Sequence, residues 1–204
     1  MASTAAPYGL RPVKRHDNLA FAGATNEYRI NPNGSTATMY NGTPVYVNAS
    51  GFLAPCTATG ADATTNALPA GATLTGMQGV FVGCEYTNAQ GQRIWSQYYP
   101  TGVTGDIRAM VIDDPTVVFR VQSAGSLGQD ALGANVFFSA APTGGSTTTG
   151  NSNAAVTATP VTTTAAFRVV GFADDPGSTV GDAFTDVLVK INPGYHAFTN
   201  AVGL

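Results

Sequence analysis

GVFVGCEYTNAQGQRIWSQYYP, residues 79–100, carries two runs of aromatic and β-branched residues around a four-residue break. Side chains of these types suit a pleated, half-buried surface, so residues 80–87 and 93–99 both read as strands. Asn88-Ala89-Gln90-Gly91 between them is turn chemistry: two amide side chains that bond nearby backbone, and a glycine free to take positive φ. The stretch therefore predicts an antiparallel hairpin, the strongest in the chain.

The same pattern continues on both sides. Upstream, TPVYVNASGFLAP from Thr43 alternates Val45 and Val47, turns through Asn48-Ala49-Ser50-Gly51, and starts back at Phe52. Downstream, DIRAMVIDD and TVVFRVQS predict two strands separated at Asp113-Asp114-Pro115, and ANVFFSA a further short one. AFRVVGFADD and AFTDVLVKIN predict the last two, around Asp174-Asp175-Pro176-Gly177. No apolar i, i+3, i+4, i+7 stripe persists across three helical turns. Glu occurs only at 27 and 85 and Lys only at 14 and 190, so strong surface helix formers are scarce. Short strands punctuated by Gly and Pro predict an all-β fold, an antiparallel β-sandwich or jelly roll.

Three segments fall outside the strand pattern. Residues 1–20, with Pro7 and Pro12 forcing extended backbone before them, read as an extended N-terminal arm ahead of a single domain over 21–204. Residues 57–76 are small and polar and read as a long surface loop. The Thr/Gly-rich run APTGGSTTTGNSNAAVTATPVTTT reads as a second loop or an edge excursion.

Composition narrows the function classes. Charged residues make up only 10% of the 204, against roughly a quarter in ordinary soluble domains. Hydrophobic residues make up 44%, enough to argue against disorder. No run approaches the ~20 apolar residues of a membrane span, and MASTAAPYGLRPVKRH has no apolar core of a secretion signal. A hydroxyl- and amide-rich surface, common on components of large assemblies, is what remains. The net charge of −3 disfavours nucleic acid as a partner. Cys56 and Cys84 read as small buried hydrophobes, with a disulfide between them open but unsupported.

Catalytic groups are scarce. His16 and His196 are the only histidines, and they lie near opposite ends. His16 adjoins Asp17, but neighbouring side chains in an extended segment point apart. No nucleophile elbow, phosphate loop, dinucleotide fingerprint or C-x-x-C is present. Asp113, Asp114, Asp174 and Asp175 offer hard oxygens that could converge on a calcium ion. The competing and favoured reading is that each Asp-Asp-Pro opens a turn that ends a strand. Trp95, Tyr98 and Tyr99 present either an exposed platform for a glycan or partner, or one face of a packed hairpin; the second is favoured. The expectation is a non-enzymatic protein without cofactor or metal.

Arg11, Lys14 and Arg15 place three of the chain's nine Lys and Arg in its first fifteen residues. PYGLRPVKRHDN, followed by ATNEYRI, resembles the opening of a group of tailed-bacteriophage structural proteins that begin with a P-[FY]-G-L-R-P-V arm. GVFVGCEYTNAQGQRIWSQYYP, VIDDPTVVFRVQ, TGGSTTTG and FRVVGFADDP…FTDVLVKIN fit the same group in the same order. Such proteins resemble capsid decoration, or cement, proteins: β-sandwich modules outside an icosahedral shell, often trimeric. The resemblance implies a protein made in the host cytoplasm and carried on the outer capsid surface of the virion, where it bridges subunits of the major capsid protein. It also implies docking by the arm, through Pro7, Tyr8, Gly9, Leu10, Arg11, Pro12 and Val13, with Lys14 and Arg15 completing the basic cluster. The alternative function is a receptor- or glycan-binding module of a phage tail or fibre.

Overall fold

The computed structural model describes residues 4–35, 37–56, 76–139, 143–163, 165–173 and 175–199. Along them run β1 (Arg11–Arg15), β2 (Asn26–Arg29), β3 (Met39–Tyr40), β4 (Pro44–Val47) and β5 (Leu53–Pro55). β6 (Gly79–Thr87), β7 (Arg93–Ser96), β8 (Tyr98–Tyr99), β9 (Arg108–Ile112) and β10 (Val117–Gln122) follow. β11 (Asn135–Val136), β12 (Phe167–Phe172) and β13 (Asp186–Ile191) complete the set. Helix among the described residues is limited to two single 3₁₀ turns, Gln129–Ala131 and Pro193–Tyr195. The fold is all-β, and every strand pairing is antiparallel.

β1-β10-β13-β12-β11 form a five-stranded sheet. β2-β9-β6-β4-β5, with β7 also on β6, form a six-stranded one, and β3 and β8 pair by themselves. The central hairpin forms, with Thr87 facing Arg93 and Cys84 facing Ser96 across the 88–91 turn, but the return run expected as one strand over 93–99 is broken at Gln97, and Tyr98–Tyr99 pairs with β3 instead. The 43–55 hairpin also forms, with Val47 opposite Leu53. Beyond β2, Ile30 bridges Leu53, which brings the two outer strands of the six-stranded sheet together and curls it round.

That curl explains why both faces of β6 are apolar. Val80 points into a core shared with the five-stranded sheet, where Val117, Phe119, Val121, Phe167, Val169, Val187 and Val189 meet it. Phe81 and Cys84 point the other way, into a second core with Ile30, Met39, Val45, Leu53, Tyr99, Ile107 and Val111. Side chains alternate along a strand, so one strand serves two cores only if both faces are covered. A bulge between Phe81 and Gly83 adjusts the register midway. The two sheets thus sandwich the first core, and the curled sheet encloses the second.

β9 and β10 do not pair with each other. Residues 113–116 carry the chain out of one sheet and into the next, so the break read there is a sheet-to-sheet crossing and not a hairpin turn.

The expected arm needs correction in part. Its backbone is extended, but Arg11–Arg15 pairs with β10 as the edge strand of the five-stranded sheet, with a bulge between Pro12 and Lys14. Leu10 is 1% exposed, inside the first core. The physical reason lies in two glycines. A Cβ on Gly9 (φ +78°) would stand 2.8 Å from the Ser152 side chain, and one on Gly42 (φ +93°) 3.0 Å from the Leu10 nitrogen. Close backbone approach there lets Leu10 N–H donate to Gly42 O at 3.0 Å.

The Thr/Gly-rich run is irregular, as expected, yet it is not simply a surface excursion. Ala154, Ala155 and Val156 are buried, and Val156 bridges both Ser123 and Phe138. The small apolar triplet, not the surrounding threonines, decides its placement. The loop expected at 57–76 lies outside the described residues except for Gly76.

Candidate functional site

Tyr8 and Arg11 are held by the body of the protein. Arg120 on β10 donates from Nε to the Tyr8 hydroxyl at 3.1 Å, and to Asp186 Oδ2 at 2.9 Å. Its Nη1 reaches Asp175 Oδ2 at 2.6 Å. Burial opposes the Arg120 charge, but the bonds to Asp186 and Asp175 more than offset it and raise its pKa. Burial and the Asp186 carboxylate likewise push the Tyr8 phenol up, so it stays neutral. Arg11 Nη1 donates to Asn41 Oδ1 at 3.0 Å. Gln122 clasps the chain further upstream: Ala6 N–H donates to its Oε1 at 2.8 Å and its Nε2 donates to Thr4 O at 3.1 Å.

The nine expected docking residues therefore divide. Pro7 and Tyr8 are half-buried, and Gly9 and Leu10 are buried. Arg11 and Pro12 lie half-buried in the strand, whereas Val13 bulges outward at 47% exposure. Lys14 Nζ donates to Asn18 Oδ1 at 3.0 Å, and Arg15 meets Asp17 at 3.3 Å and Asp114 at 3.8 Å. The chain doubles back directly after β1. Asn18 takes φ +66°, Arg15 N–H donates to Leu19 O at 2.9 Å, and Lys14 bridges Ala20. Leu19 is 59% exposed beside this bend. Val13 and Leu19 are the exposed apolar side chains of this segment, with Lys14 and Arg15 between them in sequence. The sequence signal for Leu19 was absent, because its neighbours show no strand period.

The Asp-Asp-Pro pairs open turns. Asp113 is buried and accepts from Asn26 Nδ2 at 2.9 and 3.0 Å and from the Tyr28 hydroxyl at 2.6 Å. Asp114 Oδ1 accepts from Thr116 N–H at 2.8 Å and from its hydroxyl at 2.7 Å. Asp175 Oδ1 accepts from Gly177 and Ser178 N–H at 2.9 and 3.1 Å, which closes a turn through Pro176. Asp174 lies outside the described residues. Among the described residues no three His, Cys, Asp or Glu side chains gather as metal ligands.

The aromatic trio is split between the two readings. Tyr99 is fully buried, donating to Val103 O and accepting from Ser35 N–H, both at 2.9 Å. Tyr98 stacks on Tyr40 with centroids 5.8 Å apart. Trp95 is 54% exposed, its ring lying against Gly83, where a Cβ would stand 2.7 Å away. A cleft of about 530 Å³ opens between the 88–91 turn and residues 102–104, lined by Tyr86, Asn88, Val103 and Thr104 among others. An exposed ladder of ion pairs joins Arg93 to Glu85 and Asp106, and Arg108 to Asp106 and Glu27.

Cys56 sits in the first core and Cys84 in the second, both as free thiols. Burial pushes the Cys84 thiol up to about 12 and Cys56 higher still. Neither is poised as a nucleophile. Asp17 is engaged away from His16: its Oδ1 accepts the Leu19 N–H at 3.2 Å and its Oδ2 meets Arg15 at 3.3 Å. Comparison with known protein families, curated proteins and solved structures finds no match for this chain.

Proposed function

We propose that this chain is a structural virion protein that decorates the outside of an icosahedral phage capsid and stabilises it by bridging subunits of the major capsid protein, as a homotrimer. The observation that carries the reading is the strip on β1. It sets the exposed Val13 beside Lys14 and Arg15 on backbone fixed by the sheet, with the exposed Leu19 on the bend that follows and folds back onto Arg15. A rigid strand loses little entropy on docking, and Lys14, whose Nζ meets the Asn18 amide oxygen and no carboxylate among the described residues, suits a carboxylate-bearing shell. A ligand that prefers the assembled shell stabilises that state by its differential affinity, and several feet on one oligomer raise avidity.

Removing residues 1–15 would be a poor test, since it also removes Leu10 and an edge strand. Val13→Asp with Lys14→Glu leaves the core intact. Wild-type protein remains on purified shells through sedimentation, and the double variant is expected to wash off. Equal occupancy of the two refutes docking through the strip.

Trp95 supports a second reading, a receptor- or glycan-binding module of a tail or fibre, because an exposed indole suits a sugar face. Copy number separates the two: hundreds per particle favour the shell, about a dozen the tail.

A further inference from the structure

The chain's second histidine is built into a hook that nothing above uses. After β13 the chain turns through Pro193–Tyr195 and lies against residues 76–78. Met77 N–H donates to Tyr195 O, Ala197 N–H donates to Met77 O at 2.9 Å, and Met77 bridges His196. The approach is close: a Cβ on Gly76 would stand 2.8 Å from the Ala197 nitrogen. His196 itself is 1% exposed. Its Nδ1 accepts the Phe198 N–H at 3.2 Å, which fixes the proton of the neutral ring on Nε2. Nε2 is buried without a hydrogen-bond partner, and the Asp113 backbone lies close enough to the ring to favour its charged form. Phe198 covers the ring at 5.6 Å and is itself 60% exposed.

We propose that residues 193–199 form an acid-opened latch, in which protonation of His196 at Nδ1 breaks the bond from Phe198 N–H and releases the hook from Met77. Protonation sets two donors face to face where a donor–acceptor pair held the turn, and it places a charge in a buried site. The surroundings decide when this happens. Burial lowers the His196 pKa, the Asp113 and Asp114 carboxylates oppose that, and Lys190 on β13 adds to it; the net direction is down. Asp113 is already engaged by Asn26 and Tyr28, and Asp114 by Thr116 and Arg15, so neither is free to pair with an imidazolium. With its folded pKa depressed, the closed hook has its full stability above the ordinary histidine value near 6.5. It loses stability as pH falls from there to the folded value. Met77 and Tyr195 both contribute to the first core, so opening exposes core surface at this end.

Hydrogen exchange of the full chain at pH 7.5 and pH 5.0, corrected for intrinsic rates, tests this. Protection of residues 193–199 and 76–78 is expected to fall by up to about tenfold for each pH unit between 6.5 and the folded midpoint, while β6 and β9 keep theirs. NMR of the His196 ring should show it titrating below the ordinary histidine value near 6.5. His196→Asn retains an acceptor for Phe198 N–H and cannot titrate, so its hook should exchange alike at both pH values. Unchanged protection in the wild type, loss shared equally by β6 and β9, or the same loss in His196→Asn would each overturn the proposal.

Discussion

Replacing Leu10 with Ala tests whether the N-terminal segment belongs to the folded body. Leu10 is 1% exposed and packs in the first core, so the substitution removes about three buried carbon groups at ~0.8 kcal/mol each and leaves part of a cavity. Collapse is restricted, because Leu10 N–H is held by Gly42 O at 3.0 Å and the backbones of Gly9 and Gly42 pass too close there to admit even a Cβ. A loss of about 3 kcal/mol follows, within the ~2–5 kcal/mol range for such truncations. For a chain of this length that corresponds to a melting point lower by roughly 6–12 °C. Val13→Ala is the control: at 47% exposure it should change stability by no more than about 0.5 kcal/mol. Thermal and urea unfolding of the three proteins decide the matter. A Leu10→Ala protein that melts within about one degree of wild type would falsify the placement of β1 as part of the sheet.

Three further outcomes follow from the same geometry. Arg120→Met leaves Asp186, whose side chain is 8% exposed, without its cation, and should cost about 2–3 kcal/mol in urea unfolding; adding Asp186→Asn should restore at least about 1 kcal/mol of it. Gly83→Ala should lift the indole of Trp95, the chain's one tryptophan, and shift its emission to the red, and because the same Cβ would stand 2.9 Å from the Ser96 carbonyl oxygen it should also lower stability; an unchanged spectrum would contradict the packing. Both thiols should resist a disulfide reagent at pH 8 in the native protein and react together on unfolding, whereas rapid native labelling of either would refute its burial.

The strands legible in the sequence are those whose period 2 or β-branched content is local. β6, β7, β4, β5, β9, β10, β12 and β13 all announce themselves in that way. β2, with Asn26, Glu27, Tyr28 and Arg29, carries no such signal: it is an exposed edge whose place is set by pairing with β9. β3 is two residues long and depends on Tyr98 and Tyr99 from far along the chain. β1 was hidden by Pro12, which an edge strand accommodates and a central one does not. At the site, the Asp-Asp-Pro turns were readable because the capping is local. The clustering of Tyr8, Arg120, Asp175 and Asp186 was not, since it joins residues up to 178 positions apart (8 to 186) through the sheet register.

The outermost strand of the five-stranded sheet carries a proline, a bulge at its centre, and an Arg15 amide already spent on Leu19. Growth by accretion of another chain's backbone is therefore blocked along that margin. However densely copies are crowded there, neighbours have to meet through side chains. Contacts of that kind add no rung to the backbone ladder, so the sheet ends at this strand.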